Sequence, residues 1–266
     1  MPDYATRQMS LRIAFDLDGV LADMDTALVR QAETVFGEQI TRALEAGATS
    51  STSTSPDTAS PDDRPGSPDS QAAPPGTADN TPPIARLRMT PRQERTLWRH
   101  VVTIENFWET LEETEPGVVA RLAKVAADRR WEIVFLTKRP KTLGATAQIQ
   151  SQRWLVSKGF PLPSVYVVRG SRGRIAAALD LDVVIDDRPE NCLDVTVDSK
   201  ARPILVWRDD ERALPAGASR LGIGVVRSVG DCLDVLIALD QQQTQQDAGL
   251  LARVRKMLGL KTQAGP

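Results

Sequence analysis

Short apolar runs that alternate with helical patterns constrain the fold more than any other feature of this 266-residue chain. The runs that predict strands lie at residues 11–15, 131–137, 164–168, 181–186 and 202–207. Segments with apolar residues at helical spacing separate them, at residues 118–130, 142–159 and 174–180. Strands that are apolar along their whole length are typical of a parallel sheet with helices on both faces. The sequence therefore predicts a doubly wound α/β fold.

Residues 47–83 form a low-complexity segment that interrupts the pattern. They contain almost no large apolar side chain and many Ser, Thr, Pro, Asp and Gly residues. Such a composition cannot bury enough apolar surface to offset the entropy lost on ordering. We expect a disordered insertion, and a Ser/Thr-rich regulatory tract is the alternative. Helical patterns flank it, at residues 22–46 and 90–113.

Charge, cysteine content and hydropathy exclude several classes of protein. A net charge of −2 and a pI near 5.6 argue against binding to nucleic acid polymers or anionic membranes. Cys192 and Cys232 are too far apart in sequence for a disulfide framework or a zinc ribbon. No apolar run approaches the roughly 18 residues of a membrane span, and residues 1–10 lack a signal-peptide pattern. These features predict a reduced, cytoplasmic protein.

His100 is the only histidine, which limits the available chemistry. Metal sites with several histidines are impossible, and any Ser-His-Asp or Cys-His mechanism would have to use this one residue. Its helix-like surroundings favour a surface or packing role. Carboxylates are therefore the better candidates for catalysis.

Charged and polar side chains follow four of the predicted strands at the points where they end. They are Asp16 and Asp18; Thr137, Lys138 and Arg139; Arg169, Arg172 and Arg174; and Asp186 and Asp187. Ligands of open α/β sheets bind beyond the carboxyl ends of the strands. The sequence therefore predicts one site at this edge of the sheet.

These residue types suit phosphoryl transfer. Asp16 and Asp186, from two strands, can share Mg²⁺, and a carboxylate can then attack phosphorus to form an aspartyl-phosphate. Asp18 can protonate the leaving alcohol and then deprotonate the attacking water. Thr137 can donate to a phosphoryl oxygen, an arginine can hold the charge of these oxygens, and Gly19 permits a tight turn.

Four segments in this order, "FDLDGVL", "LTKRP", a basic residue and "IDDRPEN", resemble the motifs of the haloacid dehalogenase superfamily of phosphohydrolases. The resemblance covers residues 11–23 and about 104–235. It implies Asp16 as nucleophile, Asp18 as general acid and base, and Thr137 as the phosphoryl contact. It also implies a Mg²⁺ site made by Asp186, with Asp187 in support and the Asp18 backbone carbonyl on the metal. "DGVLAD", "ENFWETLEETEPG" and "DDRPEN" most resemble the 5′(3′)-deoxyribonucleotidase-like branch, which implies a nucleoside monophosphate substrate.

The third motif departs from the family, which usually has a lysine there. No lysine lies between Lys158 and Lys200, so the spacing to "IDD" favours Arg172, with Arg174 as the second choice. The candidate substrate contacts are Thr137, Lys138, Arg172 and Arg174. The candidate metal ligands are Asp16, Asp18, Asp186 and Asp187.

The family also predicts the domain organisation. We expect a flexible start (1–10), a Rossmann-like core (11–23 and 116–239), a small helical cap that holds the insertion (24–115), and a Gln-rich link with a basic amphipathic tail (240–266). The aromatic residues Trp98, Phe107 and Trp108 would either form a stacking surface or join the cap to the core.

The predicted function is a Mg²⁺-dependent phosphomonoester hydrolase that acts on a small phosphorylated substrate. A phosphotransferase that uses the same aspartate is a close alternative. A non-catalytic scaffold of the same fold, which binds partners through its insertion and tail, is an alternative from another class.

Overall fold

Six parallel strands form one sheet in the computed structural model, which describes residues 10–38, 42, 87, 89–209, 214 and 217–242. The strands are β1 (Arg12–Asp16), β2 (Glu132–Thr137), β3 (Ser164–Val167), β4 (Val183–Asp186), β5 (Arg202–Val206) and β6 (Gly224–Val226). Their order in the sheet is β3-β2-β1-β4-β5-β6, with helices on both faces. The predicted doubly wound α/β fold is confirmed.

The helices that extend over several consecutive described residues connect or follow these strands. They are α1 (Met24–Phe36), α2 (Pro91–Val101), α3 (Val118–Arg129), α4 (Ala147–Ser157), α5 (Arg172–Ala178), α6 (Pro189–Asp198) and α7 (229–242). Short 3₁₀ helices lie at Phe107–Glu109 and Ser219–Leu221. The predicted disordered insertion and the predicted amphipathic tail lie outside the described residues.

Strand β1 lies at the centre of the sheet because it is apolar on both faces. Ile13, Ala14 and Phe15 are fully buried, and β1 pairs with β2 on one side and with β4 on the other. The register places Phe15 beside Phe135 and beside Ile185. The next residue, Asp16, therefore ends its strand beside the ends of the two neighbouring strands.

The described residues divide into two compact units. The first contains those within Met1–Met24, Val102–Arg208 and Leu214–Pro266, and the second those within Asp25–Val101 and Asp209–Ala213. Residues 102–115, which the sequence assigned to the cap, belong to the first unit in this division. Trp108 explains part of this assignment, because its indole N–H donates to the Pro140 carbonyl at 3.0 Å and its backbone N–H to Gln150 Oε1 at 3.0 Å.

The helix predicted at residues 142–159 begins later, at Ala147. Thr146 is its N-cap, and the Thr146 side chain accepts a hydrogen bond from the Ile149 N–H. Gly144 has a φ of +88°, which is incompatible with a helix. Residues 138–146 are therefore a loop that follows β2 at the predicted site.

Other elements differ from the sequence pattern. The helical pattern predicted for residues 90–113 is split into α2 and a 3₁₀ turn, and β6 was not predicted because it has only three residues. Cys192 and Cys232 are free and buried. No helix in the described part of the chain is both long and apolar enough to cross a membrane.

The core around β4 supplies a test of the fold. Val184 is 1% exposed and Val197 is 72% exposed, so Val→Ala at the two positions removes the same atoms from opposite environments. We expect Val184→Ala to lower the free energy of unfolding by about 2–3 kcal/mol, from lost burial and a residual cavity. Val197→Ala is the control. Val197 lies on helix α6, and its substitution should change the free energy of unfolding by less than about 0.5 kcal/mol. Urea denaturation of both variants measures the difference, and equal effects would contradict this packing.

Candidate active site

Two carboxylates lie side by side at the carboxyl ends of β1 and β4, with a buried arginine against both. Asp16 and Asp186 are buried, and the Arg172 side chain is 2% exposed. Arg172 Nη2 pairs with Asp16 Oδ1, and Arg172 Nε lies 3.4 Å from Asp186 Oδ2. Arg172 therefore brings positive charge to two of the four acids that the sequence assigned to the metal.

Further hydrogen bonds fix the orientation of the two carboxylates. Asn191 Nδ2 donates to both oxygens of Asp186, at 2.9 and 3.0 Å, and the Arg188 N–H donates to Oδ1 at 2.9 Å. The Asp18 N–H donates to Asp16 Oδ2 at 3.1 Å. Asn191, on the first turns of α6, was not among the predicted site residues, although it ends the quoted motif "IDDRPEN".

Burial and mutual repulsion make this pair costly to ionise. Burial raises the pKa of Asp16 well above its ordinary range, the nearby Asp186 raises it further, and Arg172 opposes both effects. Burial also raises the pKa of Asp186, although the hydrogen bond from Asn191 and the charge of Arg172 both lower it. One guanidinium therefore does not fully compensate the negative charge collected here, and an additional cation would stabilise it.

The donor set suits a hard cation, but with fewer side chains than predicted. Within the described ranges, no three His, Cys, Asp or Glu side chains converge on one point that could hold a metal. The side chains of Asp18 and Asp187 are directed elsewhere, as described below. Asp16 and Asp186 remain as candidate side-chain ligands, and backbone carbonyls and water are the other oxygens that Mg²⁺ accepts. The residues present fit such an ion on these terms.

Asp18 is held by a threonine and by an arginine that the candidate set omitted. Thr137 Oγ1 donates to Asp18 Oδ2 at 2.9 Å, and Arg139 Nη2 lies 2.8 Å from Asp18 Oδ1. Lys138, the predicted substrate contact, is exposed, whereas Thr137 and Arg139 on either side are buried. Buried and exposed side chains thus alternate over residues 137–139, as they do in a strand, but nothing in the sequence shows that this alternation extends past Thr137.

Arg172 and Arg174, the two candidates for the third motif, lie in very different places. Arg174 is 85% exposed and lies 3.9 Å from Asp198, and Arg169 is also exposed. Arg172 is the first residue of α5, which Ser171 caps. A Cβ on Gly173 would lie 2.1 Å from the Asp194 carbonyl oxygen, so this glycine permits the close approach of α5 to α6. Arg172 is brought to the two carboxylates, and Arg174 is not.

The turn after Asp18 is held from two sides. Gly19 has a φ of +82°, and a Cβ there would lie 2.0 Å from Asp187 Oδ2, so the Asp187 carboxylate lies against the bare backbone. Arg208 donates to the Gly19 carbonyl, to the Val20 carbonyl at 3.2 Å and to Glu115 at 2.9 Å. Arg208 was not among the predicted site residues, although it directly follows the last predicted strand.

Glu115 links this turn to the start of α7. Its carboxylate accepts hydrogen bonds from the Val229 N–H at 2.7 Å and from the Gly230 N–H at 3.0 Å, besides the contact with Arg208. These N–H groups have no partner within their own helix, so the acid caps α7. The same side chain thus stabilises a helix and fixes the arginine that holds the turn after Asp18.

The other candidates from the sequence have packing contacts. His100 lies in the second unit, where its Nε2 is 3.1 Å from Gln31 Oε1. Phe107 and Trp108 are buried, with ring centroids 5.0 Å apart in an edge-to-face arrangement. Neither ring is an exposed stacking surface.

Comparison with known proteins yields matches to solved structures alone. No protein-family model and no curated protein matches the chain. A hydrolase from Pseudomonas syringae has 16% identity and a TM-score of 0.43, over 87% of this chain and 99% of that one. A HAD family hydrolase from Deinococcus radiodurans, with bound phosphate and sodium, has 14% identity and a TM-score of 0.45, over 87% and 96%. A putative beta-phosphoglucomutase from Thermotoga maritima has 16% identity and a TM-score of 0.44, over 86% and 99%. At these values the likeness fixes neither the activity nor the substrate of this chain.

Gly19 and Gly222 offer a matched test of the turn after Asp18. Both have positive φ values, +82° and +72°, but a Cβ on Gly222 would meet nothing within 4 Å. We expect Gly222→Ala to lower the free energy of unfolding by about 1 kcal/mol. Alanine is strained in the left-handed conformation, and this cost is partly offset because alanine reduces the entropy of the unfolded chain. Gly19→Ala should cost at least about 1 kcal/mol more, because the Asp187 carboxylate has to move. Equal midpoints in urea would show that Asp187 does not lie against this turn.

Proposed function

We propose that this chain is a Mg²⁺-dependent phosphomonoester hydrolase of the haloacid dehalogenase superfamily, with Asp16 as the nucleophile. The observation that carries the proposal is the buried Asp16 carboxylate at the end of the central strand, paired with Arg172 and adjacent to Asp186. A buried carboxylate that is oriented by hydrogen bonds and has a raised pKa is typical of a catalytic centre.

Each residue has a defined part in the proposed reaction. Asp16 Oδ attacks phosphorus and forms an aspartyl-phosphate, while Arg172 holds charge that develops on the phosphoryl oxygens. Asp16, Asp186 and the Asp18 carbonyl would hold Mg²⁺. The bound ion supplies positive charge that offsets the repulsion between carboxylate and phosphoryl group.

Asp18 is the general acid in the first half-reaction and the general base in the second. It gives a proton to the leaving oxygen, and then takes one from the water that attacks the aspartyl-phosphate. Thr137 is the proposed phosphoryl contact, but its hydroxyl proton is directed at Asp18 Oδ2. A contact of the Thr137 hydroxyl with substrate therefore requires this proton to turn from Asp18 to the phosphoryl oxygen.

The finer assignments follow the motifs. A nucleoside monophosphate is the proposed substrate, because "DGVLAD", "ENFWETLEETEPG" and "DDRPEN" resemble the nucleotidase-like branch. The proposed cellular location is the cytoplasm. A phosphotransferase would use the same Asp16, and phosphorylation of an added alcohol in place of phosphate release would favour that alternative.

Loss of Asp16 tests the proposal directly. We expect wild type to release phosphate from an aryl phosphate only with Mg²⁺, and Asp16→Asn to lower kcat by at least about 10³-fold, since a neutral amide is not a nucleophile. The control is Asp128→Asn, at an exposed acid that pairs with Lys124 at 2.7 Å. Phosphate release by Asp16→Asn at the wild-type rate, or equal release with EDTA, would refute the mechanism.

Substitution of Arg172 tests the third motif. Arg172→Lys restores the residue type usual in the superfamily and keeps one cation between the acids, so we expect it to retain activity within about tenfold. Arg172→Met leaves the two buried carboxylates without a cation from the protein and should lower kcat by about 10²-fold or more. Steady-state kinetics on an aryl phosphate measures both, and Arg174→Met is the matched control at the exposed arginine two residues away. A loss with Arg174→Met in place of Arg172→Met would reverse the assignment.

A further inference from the structure

We propose that Arg139 is a positioning residue that holds Asp18 in place for the hydrolysis of the aspartyl-phosphate. This inference rests on the proposed function. It assigns a role to a buried arginine outside the candidate set derived from the sequence.

The contacts of Arg139 with Asp18 define a fork around one carboxylate. Arg139 Nε donates to Oδ1 at 2.9 Å and to Oδ2 at 3.1 Å, and Nη2 lies 2.8 Å from Oδ1. Thr137 Oγ1 donates to Oδ2 from the other side. Hydrogen bonds to both oxygens, from Arg139 Nε on one side and Thr137 on the other, fix the plane of the carboxylate as well as its position. Asp18 therefore has few rotamers open to it while Arg139 is present.

Arg139 is itself held on the side away from Asp18. Its Nη1 donates to Ser151 Oγ at 2.9 Å, and Ser151 Oγ donates in turn to the Ala147 carbonyl at 2.7 Å. The guanidinium carbon lies 5.0 Å from the centroid of the Trp108 ring and 6.0 Å from that of Trp154. These distances are those of cation–π contacts.

The two indoles are fixed by hydrogen bonds of their own. Trp108 Nε1 donates to the Pro140 carbonyl at 3.0 Å, and Trp154 Nε1 to the Leu111 carbonyl at 2.7 Å. Both side chains are fully buried. Arg139 is thus clamped by groups that cannot follow Asp18 if it moves, and this rigidity distinguishes a positioning residue from an incidental ion pair.

Arg139 and Asp18 also form an ion pair that is largely buried. The Arg139 side chain has no solvent exposure, and Asp18 is the one carboxylate within the described residues with which it forms an ion pair. A buried guanidinium is costly unless it is paired and hydrogen-bonded. Of this pair, Asp18 is the side chain that reaches solvent, with 12% of it exposed.

The two half-reactions depend on Asp18 to different degrees. In the first, the Asp16–phosphorus bond forms and the ester bond breaks; an aryloxide of low basicity leaves without the proton of Asp18. In the second, Asp18 takes a proton as the water oxygen bonds to phosphorus, the Asp16–phosphorus bond breaks, and phosphate is released. A displaced Asp18 therefore slows the second half-reaction of an aryl phosphate more than the first.

The test is accumulation of phosphorylated Asp16 with 4-nitrophenyl phosphate and Mg²⁺. For Arg139→Met we expect kcat to fall by about 10²-fold, because general acid–base catalysis contributes at least this factor. KM should fall by a similar factor, because kcat/KM reports the first half-reaction, which changes little. A burst of nitrophenolate, near one equivalent of enzyme, should precede the slow steady state. Intact mass of acid-quenched protein should then show one phosphoryl group on the variant and little on wild type.

Further variants separate positioning from stability. Arg139→Lys keeps the charge without the fork and should give an intermediate kcat and a smaller phosphorylated fraction. It also serves if Arg139→Met does not fold. Arg153→Met is the matched control, since this arginine lies on the same helix as Ser151 and forms an exposed ion pair with Glu109 at 3.2 Å. It should show wild-type kinetics and no phosphorylated protein.

The failures of the two proposals are distinguishable. If folded wild type releases no phosphate and Asp16 is never phosphorylated, the proposed function fails. If wild type is active and folded Arg139 variants keep its kcat, or lose rate without accumulating phosphorylated Asp16, the function stands and the role of Arg139 is wrong.

Discussion

Two carboxylates buried side by side impose the main constraint on this structure. The parallel pairing of β1 with β4 places Asp16 and Asp186 at neighbouring strand ends, where burial and mutual repulsion oppose their ionisation. Arg172 opposes that repulsion from α5, and Asn191 holds Asp186 from α6. The close approach of α5 to α6 at Gly173 belongs to the same arrangement. Helices that would otherwise only cover a sheet here also deliver the groups that make a charged site stable.

The two aspartates of the first motif are served by separate arginines. Arg172 contacts Asp16, and Arg139 contacts Asp18, so each acid has its own buried cation. The arginines come from opposite sides of β1, since α5 leads into β4 whereas residue 139 follows β2. This separation suits the proposed roles of Asp16 as nucleophile and Asp18 as proton carrier, because each must keep its own position while the other reacts.

The sequence predicted those parts of the site that depend on strand ends alone. Asp16, Thr137 and Asp186 follow from the rule that parallel strands bring their carboxyl ends to one edge. The sequence placed Arg139 at this edge but not among the contacts, and it did not indicate Arg208. Which residue turns inward beyond a strand depends on tertiary contacts, here with Ser151 and Glu115. The spacing to "IDD" favoured Arg172 over Arg174, but their different environments depend on the start of α5 at Arg172, and helix ends are where sequence patterns are least precise.

The position of β1 in the sheet has a consequence for how the chain is made. β1 precedes both of its partners in the sequence, and they begin only at Glu132 and Val183. During synthesis this apolar strand must therefore wait, unpaired at both edges, until β2 and β4 have been made. Pairings so distant in sequence are slow to form. Protection of nascent β1 from aggregation until its partners are made is therefore a requirement that this topology places on the cell.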